Sequence, residues 1–290
     1  MKYGLILEGG SRRCMFTAGV LDYWLENNIY FDYIIGASAG SLSGVNYVTR
    51  QIGRTRTILQ PNLQDVSATG FIKNGFADQL KRTCYDYFYE DHPFDFKAFF
   101  TSKTRCEIVI TSCLSGKAEY IEEKVDHRNL VNALYASCSF PVIFPVAYIN
   151  HKPYMDGSIG DALPFERAFE QGCDKVVIVP TKAPNNAPFD FKKTRRIIHY
   201  KFEAQYPELY QAFMNRIDRY QAQMDKIEEY KKQGKIIVIE SREPLCSSFD
   251  IDQSRLDSSY EHGKQRAKET FDQLKEFLDL DKDSKLLACQ

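Results

Sequence analysis

The chain has 290 residues, 43% of them hydrophobic and 27% charged, with a formal net charge of −1. Such a composition is ordinary for a folded globular chain, and the near-zero charge excludes a global field that would attract nucleic acid. No apolar stretch reaches the roughly 20 residues a membrane-spanning helix requires, and the first residues lack the apolar region of a secretory signal.

Strands are predicted at Gly4–Leu7, Tyr33–Ile35, Cys106–Ser112, Ala118–Ile121, Val146–Ile149, Lys175–Val179 and Lys235–Glu240. Helical patterns lie between several of them. The βα alternation and near-continuous apolar runs such as Val176–Val179 predict an α/β fold, with a mostly parallel central sheet flanked by helices. The eight cysteines form no C-x-x-C pair. Cys14, Cys106, Cys113, Cys138 and Cys173 lie in or beside apolar runs, which reads as reduced, buried thiols of a cytoplasmic protein and not as a metal site.

The first strand runs into Glu8-Gly9-Gly10-Ser11-Arg12-Arg13-Cys14, followed by a helix from about Met15 to Glu26. Paired glycines before a helix free main-chain N–H groups to face a ligand. Such donors stabilise an oxyanion; a tight βα turn that merely needs glycine is the plainer reading. Neither a dinucleotide nor a Walker A pattern is present. The second strand ends in Gly36-Ala37-Ser38-Ala39-Gly40 and a small-residue helix, Ser41–Val48. This spacing puts Ser38 on a sharp strand-to-helix turn with its hydroxyl exposed. Only one strand precedes it, too few for an α/β-hydrolase.

The stretch Cys84–Phe100 is dense in Tyr and Phe. Packing under a cap region is the favoured reading, ahead of a lipid-facing rim. A serine nucleophile needs a base. None of His92, His127, His151, His199 and His262 lies in a strand-end loop that looks built for a site. Asp156, in Met155-Asp156-Gly157-Ser158 after a hairpin over Val146–Tyr154, is the better candidate, although Asp-Gly is also a common turn dipeptide.

Taken together, Glu8–Arg13, Gly36–Gly40, Ala136-Ser137-Cys138-Ser139-Phe140-Pro141, Asp156–Ser158 and Asp161-Ala162-Leu163-Pro164 resemble the ordered blocks of the patatin-like phospholipases. The likeness extends over about Lys2–Pro180, and Phe16–Asp22 is similar to a bacterial subgroup that carries a C-terminal extension. The resemblance implies a calcium-independent lipid acyl hydrolase without cofactor or metal. Ser38 would be its nucleophile and Asp156 its base, in a Ser-Asp dyad. Gly9, Gly10, Ser11, Arg12 and Arg13 would form the oxyanion loop, with Gly36 and Gly40 shaping the elbow. The substrate would be a phospholipid, lysophospholipid or acylglycerol, met in transient peripheral contact with a membrane, and nucleic acid would play no part. Phe140, Val142, Ile143 and Phe144 are expected in the pocket wall. Ser11 and Cys14 stand where the family usually has glycine; Ser158, in place of glycine or alanine, is the tolerable departure. The two glycine replacements motivate a second reading, a lipid-binding protein of this fold with little catalysis. A Ser-His-Asp esterase on another fold is the third reading, and it would make His199 or His262 essential.

From about Arg195 the composition changes. Leu209, Phe213, Ile217, Tyr220, Met224 and Ile227 predict one long amphipathic helix ending near Gly234. A strand follows, then a helix from about Ser258 to Leu280. Residues 1–194 therefore read as a catalytic core. Residues 195–290 read as a mainly helical extension packed on it, its single strand joining the main sheet.

Overall fold

The computed structural model describes residues 1–61, 80, 82–89, 92–141, 143–182 and 198–280; at positions 82, 83 and 87 the description is of the main chain alone. The expected pocket residue Val142 and the expected boundary near residue 195 lie outside the described residues.

Among the described residues, eight strands form one mixed, mostly parallel sheet in the order β5-β6-β3-β2-β1-β7-β8, with β4 also paired to β3. They are β1 (Tyr3–Leu7), β2 (Tyr33–Ala37), β3 (Arg105–Ser112), β4 (Ala118–Ile121), β5 (Ala147–Ile149), β6 (Lys152–Asp156), β7 (Lys175–Val179) and β8 (Ile236–Val238). β1 is central and parallel to both β2 and β7, and β7 is parallel to β8. The apolar runs of β1, β2 and β7 are buried on both faces. Leu5 and Leu7 join one core cluster and Ile6 the other, as the two-residue period of a strand requires. The expected fold is therefore borne out.

One face carries α1 (Cys14–Glu26), α2 (Ala39–Val48) and α3 (His127–Cys138), whose buried residues share a cluster with Leu5 and Leu7. The C-terminal region adds α4 (Pro207–Met214), α5 (Arg216–Lys232), α6 (Gln253–Glu269) and α7 (Phe271–Phe277). α6 lies directly on α1. A Cβ at Gly263 would fall 2.1 Å from the Phe16 carbonyl oxygen, and one at Gly19 would fall 2.0 Å from that of Tyr260. Only glycine at both positions lets the two backbones approach so closely.

The C-terminal helices differ from expectation in two places. The helix expected from Leu209 to Gly234 breaks at Asn215, because its two halves cover different cores. Leu209 and Phe213 pack with Ile159, Ile198 and Phe202, whereas Ile227 packs with Phe165 and Ile236. The final helix starts earlier, capped by Asp252, whose side chain accepts from the Ser254 amide at 2.9 Å. It is interrupted at Thr270, whose hydroxyl donates to the Arg266 carbonyl at 2.8 Å, a bond of the kind that bends helices.

Candidate active site

Register brings the two ends of the site together. β4 takes one edge of β3, pairing with residues 108–111. β2 and β6 follow one another along the other edge: Ala37 sits opposite Val109, and Asp156 sits opposite Ile110, one residue further on. Ser38 and Asp156 thus leave their strands side by side. Both line the same cavity, and the Ser38 hydroxyl is near enough to the Asp156 carboxylate to favour its charged form.

Ser38 has φ 55 and ψ −132, a left-handed conformation that costs a non-glycine residue on the order of 1–2 kcal/mol. Its neighbours hold it there. The Ser38 amide donates to Ser137 Oγ at 2.9 Å, Ser137 Oγ donates to the Val109 carbonyl at 2.6 Å, and Ser41 Oγ donates to the Ser38 carbonyl at 2.6 Å. Gly40 passes so close to β1 that a Cβ would lie 2.2 Å from the Leu7 carbonyl oxygen. At Gly36 a Cβ would lie 2.5 Å from the main chain of Gly40.

Asp156 is 2% exposed. Its Oδ1 accepts from the Ser158 amide at 2.9 Å and from the Ser158 hydroxyl at 2.6 Å. Burial pushes its carboxyl up to about 6, opposed by the hydrogen bonds from Ser158 and Ser38. Its main chain is fixed as well: the amide donates to the Ser139 carbonyl at 2.9 Å, and the carbonyl accepts from Thr111 Oγ1 at 2.8 Å.

The loop after β1 lies against the elbow. A Cβ at Gly9 would fall 2.7 Å from Ser38 Cβ. Among the described residues, the amides of Gly9, Gly10 and Ser11 donate to no protein acceptor. Ser11 adopts φ 53, so position 11 is one where the family's glycine would be unstrained. Cys14 is buried at the start of α1, its thiol directed to the Glu8 carbonyl at 3.5 Å, and burial pushes that thiol upward. Arg13 lines the cavity, and its buried Nε has no hydrogen-bond partner among the described residues.

These groups open into a cavity of about 960 Å³, within the usual range for a small-molecule site. The core supplies apolar lining: Leu42, Ile58, Leu59, Cys138, Phe140, Ile143 and Phe144. The C-terminal region supplies Ile217, Tyr220, Phe249, Arg255 and five serines, at 247, 248, 254, 258 and 259. Lys182 and the buried Glu8 form an ion pair of 3.2 Å at the wall, and burial lowers the Lys182 ammonium.

None of the five histidines lines this cavity. His127 stacks on Phe96 with ring centroids 4.1 Å apart, His199 pairs with Glu203 at 2.7 Å, and His262 Nε2 accepts from the Arg242 amide. The aromatic stretch is largely packed, with Phe88, Phe94 and Phe99 buried. Among the described residues no group of three or more His, Cys, Asp or Glu could hold a metal ion, and no helix is long and apolar enough to cross a membrane. Sequence reasoning assigned no role to Ser137, Thr111 or the serine-rich lining. Ser137 stood in a block noted only for its resemblance, and the others carry no local signature.

Residues 206–279 match a family described only as a domain of unknown function, DUF6363. The "Uncharacterized protein YjjU" of Escherichia coli (strain K12) is 24% identical over 190 residues, 62% of this chain and 52% of that protein, so the chain spans about half the length of the curated relative it matches. Two solved structures are similar in outline, at low identity. They are VipD from Legionella pneumophila (13% identity, TM-score 0.46, 94% of this chain and 67% of that one) and the type III effector protein ExoU (11% identity, TM-score 0.40, 94% and 53%). Residues 5–169, more than half of the chain, match the model of the patatin-like phospholipases, and the glycine loop, the elbow serine and Asp156 all fall inside that span: the chain belongs to the patatin-like phospholipase family.

Proposed function

We propose that the protein is a serine acyl hydrolase that cleaves carboxylic esters of lipids through a Ser38–Asp156 dyad. The observation that carries this reading is the conjunction at one point of the strained Ser38, the buried Asp156 carboxylate and three amides without acceptors. Ser38 Oγ attacks the ester carbonyl carbon while its proton passes to Asp156. A carboxyl held near 6 is a stronger base than one at the ordinary value of about 4. The amides of Gly9, Gly10 and Ser11 take up the charge on the carbonyl oxygen. Collapse of the tetrahedral adduct breaks the ester C–O bond, and Asp156 returns the proton to the departing alcohol. Water, deprotonated by Asp156, then attacks the acyl-serine carbonyl carbon; the bond to Ser38 Oγ breaks, Asp156 returns the proton to that oxygen, and the acid is released. Phospholipid, lysophospholipid and acylglycerol all present such an ester, and the apolar lining suits an acyl chain.

Hydrolysis of a chain-length series of p-nitrophenyl esters tests this in the parent, Ser38→Ala and Asp156→Ala, with and without chelator. The dyad predicts a loss of at least about 10³-fold in both variants and a rate indifferent to chelator. Retained activity in either variant sinks it, and dependence on His199 or His262 would favour a triad. One observation favours a second reading, a lipid-binding protein of this fold: Ser11 in a left-handed conformation is the kind of strain that can misdirect an oxyanion amide. That reading predicts lipid binding undiminished in Ser38→Ala and no turnover in the parent.

A further inference from the structure

The glycine loop is gripped from outside the core. Arg12 is 9% exposed, and its side chain and both main-chain polar groups end on one short stretch of the C-terminal region. Nη1 donates to the Asp250 carbonyl at 2.6 Å, the amide donates to the Ser248 carbonyl at 3.4 Å, and the carbonyl accepts from Cys246 Sγ at 3.2 Å. That stretch is itself anchored. The Cys246 amide donates to Ser259 Oγ on α6 at 2.9 Å. The Asp250 carboxylate accepts from the Ser247 and Asp252 amides at 3.3 and 3.1 Å and faces Arg255 at 3.6 Å. α6 in turn meets α1 at Gly19 and Gly263. On the other side of the loop, Thr181 Oγ1 donates to the Gly9 carbonyl.

Between the two grips lies Ser11 at φ 53. A loop with three successive amides unbonded and a serine in the left-handed region has few internal bonds to hold it, chiefly those from the Arg13 amide to the Gly10 carbonyl at 3.2 Å and from the Cys14 thiol to the Glu8 carbonyl. We propose that residues 246–250 are a positioning clamp for this loop. Acting through Arg12 and Cys246, they keep the Gly10 and Ser11 amides aimed at the carbonyl oxygen of an ester bonded to Ser38, and they offset the strain at Ser11. Part of the region matched only as a domain of unknown function is then a working component of the hydrolytic site. Arg12 is a positioning residue: its guanidinium is spent on Asp250 and acts on the reaction through the main chain of its own loop. The catalytic consequence rests on the dyad proposed above; the mechanical one does not.

The test uses full-length parent, Arg12→Ala, Cys246→Ala, Ser11→Gly and Ser11→Gly/Arg12→Ala, each checked for a cooperative thermal transition. Two quantities are read: kcat and KM for p-nitrophenyl butyrate, and amide hydrogen exchange of the peptide covering residues 8–14. Loss of a charge-assisted bond predicts that Arg12→Ala lowers kcat about 10- to 100-fold, with KM within about threefold. Exchange at 8–14 accelerates about tenfold or more. Adding Ser11→Gly to Arg12→Ala restores kcat about fivefold or more, since glycine adopts the left-handed conformation freely. An Arg12 with only a general structural role would lower the thermal midpoint without rescue by glycine, and that result overturns the proposal. Unchanged exchange at 8–14 in both Arg12→Ala and Cys246→Ala also overturns it, and Cys246→Ala decides alone if Arg12→Ala does not fold. A parent that neither hydrolyses the ester nor reacts at Ser38 with a fluorophosphonate defeats the dyad instead. The exchange data then stand by themselves: acceleration in the variants supports the clamp, and none refutes it.

Discussion

At the scale of the residue, the role proposed for Asp156 sets catalysis against stability. Its carboxyl titrates near 6 in the fold because it is buried, against about 4 in an unfolded chain. The folded state therefore binds the proton more tightly. The resulting stabilisation is fully present below about pH 4 and is lost as pH rises through about 6, leaving a cost of about 2–3 kcal/mol for the ionised group at neutral pH. Two outcomes are expected. The acid limb of kcat/KM for ester hydrolysis has its midpoint near 6, not near 4, as a pH-rate profile reads directly. Asp156→Asn, which keeps an acceptor for Ser158, is inactive yet more stable than the parent by about 1–3 kcal/mol at pH 8, and chemical denaturation shows that gap closing below pH 4. The turn at Ser38 and the strand end at Asp156 were legible in the sequence because a sharp turn and a strand running into a short helix each leave a local signature in glycine. The bonds that hold them were not. Ser137 reaches Ser38 from 99 positions away and Thr111 reaches Asp156 from 45, and a hydroxyl's partner at such a distance follows from register alone.

At the scale of the element, the contact between α1 and α6 reverses the usual expectation for glycine in a helix. Replacing an interior helical glycine by alanine ordinarily stabilises by up to about 1 kcal/mol. At Gly263 the new Cβ would meet the Phe16 carbonyl at 2.1 Å, and overpacking of this kind costs about 1–3 kcal/mol. Gly263→Ala is expected to lower the urea midpoint, whereas Lys268→Ala, on the exposed side of the same helix, shifts it by no more than a few tenths of a kcal/mol. A stabilised Gly263→Ala protein would show that α6 moves away freely. Strands were easy to place, because short apolar runs bounded by turn residues are buried on both faces of the sheet. The helix breaks at Asn215 and Thr270 were not, because the apolar period continues through both. What changes at Asn215 is the core each half covers, and at Thr270 a hydroxyl bonded back to the preceding turn.

At the scale of the whole molecule, the cavity belongs to both ends of the chain, its apolar lining to the core and much of its hydroxyl-bearing lining to the C-terminal region. Of the exposed apolar side chains, Ile217 and Phe249 line the cavity and Ile251 lies two positions beyond Phe249, 36%, 43% and 48% exposed, while most of the aromatic stretch before β3 is packed away. If lipid is met at a bilayer, Phe249→Asp/Ile251→Asp should weaken sedimentation with phosphatidylcholine vesicles about tenfold, and Tyr89→Asp should not. Equal losses in both proteins would return the contact to the aromatic stretch. We propose that residues 195–290 form an extension packed on a core of residues 1–194, in keeping with the pairing of β8 with β7 and the seat of α6 on α1. The grip of residues 246–250 on Arg12 also has a consequence in time. A chain still on the ribosome exposes Ser38 and Asp156 well before residue 250 has been made, and at about 5–20 residues per second the interval is on the order of ten seconds. On the reading proposed above, Ser38 stands throughout that interval without the frame that would direct the amides beside it, so full hydrolytic activity waits until the last helices have docked.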